Sequence, residues 1–230
     1  MPDYSDYKID VMTIEARYDP ALAIWDKAGE IWAEVQSQFP ELQFQSAMPT
    51  QQVFESNDTT AATELEAFRV SCRGVDAEKR VVAVAQKLLQ VCSVRLKIAV
   101  FTRIGFRDIR SHLYSNMDEA NSAVSPLLPE AFTRGLIDKS KYTAITCSVK
   151  QESDTSGLRT SIRTEERETK VTIPWVVRDR ISADLTKENV VVFDSDYYTI
   201  GTTRRESLNI EEWAKQANRT IKRHWKSVLQ

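Results

Sequence analysis

The chain has 230 residues and a net charge of −2, with 28% charged and 42% apolar residues, enough to bury a core without disulfide or metal staples. The near-neutral balance excludes a global pull toward nucleic acid or anionic membrane, so any such binding needs a local patch. No apolar run approaches the roughly 18 residues of a spanning helix, and the acidic start Met1-Pro2-Asp3-Tyr4-Ser5-Asp6 predicts no signal peptide.

In chain order, residues 7–18 read as a strand ending at Asp19-Pro20, a helix start with Asp as N-cap. The helix is predicted to run to about Phe39, with Leu22, Trp25, Ala28, Trp32, Val35 and Phe39 as one core-facing stripe. Short extended segments are expected near 43–47 and 51–55, then a polar loop and a strand over 65–73. Asp76 is the predicted cap of a helix to about Cys92, with Ala77, Val81, Val84, Leu88 and Val91 inward. A strand is predicted to follow at once, from Val94 to Arg107. One face reads Val94, Leu96, Ile98, Val100, Ile104 and Phe106; the other reads Arg95, Lys97, Ala99, Phe101, Arg103, Gly105 and Arg107. A weaker helical stretch, 117–128, is broken by Pro126 and Pro129.

The second half is strand-rich, with candidates at 141–150, 158–165, 170–177 and 189–198. Residues 159–168 are polar on both faces and read as an edge or protruding hairpin, a place for another chain to add a strand. A final helix begins at Asn209, with Glu212 completing a capping box, and turns Ile210, Trp213, Ala217, Ile221, Trp225 and Val228 inward. The whole predicts an α+β protein: a broad, mainly antiparallel sheet covered on one face by helices, in two related halves, 1–134 and 135–230.

Several chemistries are excluded by the residue inventory. The six glycines are scattered, so neither a dinucleotide-binding turn nor a Walker loop is present, and no cofactor is expected. Cys72, Cys92 and Cys147 share no zinc spacing with the two histidines and read as reduced thiols of a cytoplasmic protein. His112 and His224 have no Ser or Cys at a motif position.

Asp194 and Asp196 alternate on one strand, so both carboxylates leave the same face. The pair reads either as a Mg²⁺ site or as partners of arginines such as Arg103 and Arg107. Arg95, Lys97, Arg103 and Arg107 form a basic face that could take an anionic partner, with Phe101 available to stack on a base. Acidic side chains such as Asp10, Glu15 and Glu165 are candidates to face those cations across the sheet. Lys215, Arg219, Lys222 and Lys226 make a second cationic ridge along the last helix, which reads as a solvated face or an electrostatic partner surface.

Three strings resemble, in order, a sporadically distributed bacterial family of unknown function. Arg103-Ile104-Gly105-Phe106-Arg107 is similar to its R-I-G-L-R-Y-x-N stretch, with Asp108 where an aromatic is usual and Arg110 where Asn is usual. Phe193-Asp194-Ser195-Asp196 is similar to its hydrophobic-D-x-D strand. Ala217-Asn218 and Trp225 stand where the family has Leu-His and a later aromatic, so the His is absent here. The resemblance implies no established catalysis and an accessory component of a bacterial defence or toxin–antitoxin type cassette. The expected function is a non-enzymatic protein-interaction subunit whose partner is a protein of the same cassette. Homo-oligomerisation stays open, and no membrane is involved. The rivals are a nucleic-acid-binding subunit using the basic strand, and a Mg²⁺-dependent phosphodiesterase at Asp194 and Asp196.

Overall fold

The computed structural model describes residues 4–48, 50–128, 143–169 and 186–229. Nine antiparallel strands form one sheet: β1 (Lys8–Arg17), β2 (Gln43–Met48), β3 (Gln51–Glu55), β4 (Thr59–Glu64), β5 (Ala67–Cys72), β7 (Arg103–Tyr114), β8 (Thr146–Glu152), β9 (Ser156–Thr169) and β10 (Thr186–Thr199). Their spatial order is β2-β3-β4-β5-β1-β7-β10-β9-β8. A separate two-stranded ribbon pairs β6 (Val100–Phe101) with β11 (Thr203–Arg204). Among the described residues four α-helices accompany the sheet: α1 (Ile24–Gln38), α2 (Ala77–Arg95), α3 (Met117–Val124) and α4 (Ile210–Leu229). The protein is α+β.

Among the described residues one order of elements recurs. A strand, a helix and an antiparallel meander lead to a further helix: β1, α1, β2 to β5, α2, then β7, α3, β8 to β10, α4. Each meander returns its last strand beside the first, and β1 and β7 pair at the centre.

Period-two alternation sorts the side chains. Met12, Ile14 and Ala16 of β1, Phe68 and Val70 of β5, Ile104 and Phe106 of β7, and Phe193 and Tyr197 of β10 turn to the helices and are buried. Toward the far edge the buried face of β9 alternates Leu158 and Ile162 with Thr160 and Thr164. Those hydroxyls are satisfied by His224 (3.1 Å) and Asn121 (2.7 Å), which is why the strand looks two-sidedly polar in sequence yet packs on α3 and α4. Its 157–163 stretch is paired on both sides, by β8 and β10, and so is no edge; among the described residues 165–169 pair with β10 alone, and there the two strands run past the end of β7 as a hairpin ladder.

The predicted strand from Val94 is overturned over 94–99, and its 100–101 stretch belongs to the separate ribbon. α2 continues to Arg95 and ends in a Schellman-type cap, with Ile98 N–H donating to Ser93 O (3.0 Å) and Lys97 in the left-handed region at φ 56°. Leu88, Val91, Cys92 and Leu96 keep the helical period alive where alternation also fits, and burial goes to the helix. Phe101, expected on the basic face, is fully buried against Tyr18 and Phe68. Helix α1 begins at Ile24, not at Pro20, and its buried stripe is Ile24, Ile31 and Val35; Leu22 and Trp25 are exposed. In α4 the buried set is Ile210, Ala214, Ala217, Asn218, Ile221 and Trp225, with Val228 exposed. Asp76 makes no side-chain cap bond. The strand expected over 170–177 lies outside the described residues.

Candidate functional site: the open face of the sheet

The helices α1 to α4 pack on one face of the sheet; the opposite face carries an open trough of about 890 Å³. The odd-numbered positions of β1 and β7 reach it, together with Arg69, Arg159 and the two aspartates of β10. Register fixes the rows. Arg69, Glu15, Gly105, Tyr198 and Gly157 lie side by side across five strands, and the next row runs Ser71, Thr13, Arg107, Asp196 and Arg159.

Across these rows cations and carboxylates interleave. Glu15 is the hub: it accepts from Arg17 (2.6 Å) and Arg69 (2.7 Å) and lies 3.4 Å from Arg103. Arg103 donates from its other terminal nitrogen to Asp196 at 2.6 Å, and its guanidinium sits 4.8 Å from the Tyr198 ring centroid. Arg107 grips Asp194 through two bonds of 2.8 and 2.6 Å, the forked geometry that suits a guanidinium to a carboxylate. Further along, Glu165 accepts from Arg163 and Arg167, and Arg167 also reaches Asp10 at 2.7 Å. Burial works to raise the carboxyls of Glu15 and Glu165, but the surrounding guanidiniums overcome it and hold both below the usual range.

Asp194 and Asp196 therefore share a face, each in an ion pair with an arginine. Among the described residues no group of three or more His, Cys, Asp or Glu side chains is placed to hold a metal ion. Arg95 and Lys97 are not on this face. Arg95 ends α2 and pairs with Glu30 and Glu34 of α1, while Lys97 occupies the helix cap. Lys215, Arg219, Lys222 and Lys226 are exposed on α4, in the helix layer; Lys215 pairs with Glu211 and Lys222 stands 3.8 Å from Glu78. The predicted cations thus split between opposite sides of the molecule.

The two histidines are packed residues. His112 lies between the rings of Tyr7 and Tyr114, and His224 meets Thr160, with burial pulling its pKa down. Cys72 and Cys92 are buried, Cys147 half-buried, and burial pushes the Cys92 thiol up to about 12.

Sequence reasoning missed two things. Arg69, Arg73 and Arg159 line the trough, and only the parity of their strands against β1 would have placed them there. Beneath the sheet, Asp108 and Arg110 form a buried ion pair at 3.0 Å. Tyr4 donates to Asp108 at 3.1 Å, carries the Arg110 guanidinium over its ring, and stacks on Trp225. Trp225 in turn donates its indole N–H to Ser195 at 2.7 Å.

No protein-family model and no curated protein matches this chain.

Proposed function

We propose that the protein is a non-enzymatic interaction subunit whose contact surface for a protein partner is the open face of the sheet. One observation carries this reading: the carboxylates that would serve a reaction, Asp194 and Asp196, are each held by an arginine, within a lattice of two neighbouring ion-pair clusters. A general base or metal ligand needs a free lone pair directed at a reacting atom. A binding surface needs what the lattice supplies, side chains held rigidly in register by two strands on either side. On the three-string resemblance we further propose that the partner belongs to a bacterial defence or toxin–antitoxin type cassette.

The test is purification of the tagged chain from its source cells at low salt. Protein mass spectrometry, cross-linking and the absorbance ratio for nucleic acid are read on one sample, and the preparation is repeated with Arg107→Glu. A stoichiometric protein that cross-links to the trough and is lost from the variant is the expected result. Retention of that protein by the variant, with cross-links to α4, would move the contact to the helix layer. Nucleic acid without protein would replace the reading with a nucleic-acid-binding one.

A further inference from the structure

The trough lining holds six guanidiniums, from Arg17, Arg69, Arg73, Arg103, Arg107 and Arg159, against four carboxylates, from Glu15, Glu64, Asp194 and Asp196. The lattice pairs four of the six with those carboxylates. Arg73 and Arg159 are exposed and have no ion-pair partner among the described residues. They carry the surplus charge of the face, and they stand well apart on it. Arg73 follows β5, Arg159 sits on β9, and β1, β7 and β10 lie between. Four inter-strand steps at about 4.8 Å each separate them by roughly 19 Å. A single small anion cannot reach both.

We infer that the trough takes an acidic, extended polypeptide segment of the partner, laid across the strands with its carboxylates on Arg73 and Arg159; this rests on the reading of the open face as the contact surface. An extended chain covers the span with about six residues at ~3.3 Å each. Its chemistry fits the floor better than that of a nucleic acid. Tyr198 shares this face, but its ring lies against Arg103 and over Gly157, outside the trough lining, so bases would find no free stacking platform. Asp194, Asp196 and Glu15 would oppose a phosphate on every nucleotide. A polypeptide brings backbone N–H donors for Thr13, Ser161 and the lattice carboxylates, besides the acidic side chains that the surplus arginines require.

Arg73→Glu/Arg159→Glu tests this, because neither side chain holds a described ion pair and the lattice should survive the change. The probes are a fluorescein-labelled ten-residue peptide of alternating Glu and Ala, the same peptide with Lys for Glu, and a labelled twelve-residue oligothymidylate. Anisotropy is read on the full chain at 50 and 200 mM salt. The acidic peptide is expected to bind, to weaken with salt, and to lose at least tenfold in the double variant. It should be unaffected by Arg219→Glu/Lys226→Glu on α4. Oligothymidylate binding that depends on Arg73 and Arg159 would overturn the polypeptide class. Equal losses in both double variants would overturn the site, since net charge alone would then account for binding. If no probe binds and the native partner is nevertheless lost from the trough variant, the acidic ligand is wrong and the contact surface stands. If the native partner is also retained, both fail.

Discussion

Asp108 is fully buried, and among the described residues its cationic partner at ion-pair distance is Arg110, two residues along the same strand face. Burial raises the Asp108 carboxyl above its ordinary value, with Arg110 opposing that shift. Removing one member of such a pair leaves the other uncompensated, so Asp108→Ala should cost about 3–5 kcal/mol in urea unfolding. Asp108→Leu/Arg110→Met should recover most of that loss, because an apolar pair of similar volume has no desolvation penalty. A double variant no better than Asp108→Ala would mean that the contacts to Tyr4, not the charges, hold the site. A second residue-scale case is Gly157, where an added Cβ would overlap the Tyr198 ring. Tyr198 covers Gly157 while carrying Arg103 near its ring and donating to Glu152 at 2.7 Å. Gly157→Ala should cost about 1–3 kcal/mol through this overlap, and Tyr198→Ala should cancel much of it in a double-mutant cycle. Additive losses would show that the ring is not what the Cβ meets.

At the scale of elements, most of the sheet was legible because one-sided strands announce themselves. Ile104 and Phe106 alternate with Arg103 and Arg107, and that stretch came out as read; Met12, Ile14 and Ala16 of β1 alternate with polar neighbours in the same way. Legibility failed where two periods fit the same residues. Val94, Leu96, Ile98 and Val100 alternate, yet Leu88, Val91, Cys92 and Leu96 also lie on one helical face, and only tertiary packing decides between them. It failed again on α1, where the conspicuous tryptophans drew the stripe away from Ile24 and Ile31, although Val35 was placed correctly. Buried polar residues such as Asp108 and Thr164 were illegible in principle, since the groups that complete their sites, Tyr4 and Asn121, come from elements distant in the chain. The helix end after α2 makes a direct test of its assignment. Lys97 holds a left-handed conformation that glycine adopts without steric cost. Lys97→Gly should therefore stabilise the protein by about 0.5–1 kcal/mol. In a strand interior the same change would destabilise, so the sign of the shift in unfolding midpoint separates the two structures.

The whole molecule is a sheet whose two faces obey different rules, an apolar one under helices and a charged one open to solvent. The open face ties β1, β7, β10 and β9 together through carboxylates whose folded pKa values matter for stability. Glu15 and Glu165 are depressed in the folded state relative to the ordinary glutamate value of 4.5. A depressed carboxyl contributes stability that is complete above its unfolded pKa and lost as pH falls through the folded one. The lattice should accordingly be intact at pH 7 and fail progressively below about pH 4.5. Asp108 has the opposite sign, because its raised value makes its contribution fall as pH rises through that value. Both glutamates are partly solvated, so each is discounted to about 1 kcal/mol at neutral pH. Urea unfolding of Glu15→Gln/Glu165→Gln from pH 7 to pH 3 should start below the parent protein and converge with it at the acid end. Parallel curves would mean that the arginines of the open face hold their places without those carboxylates. The trough would then be a surface preorganised by the strands alone, and reversing charge at Arg73 and Arg159 would alter what it binds without touching what keeps it folded.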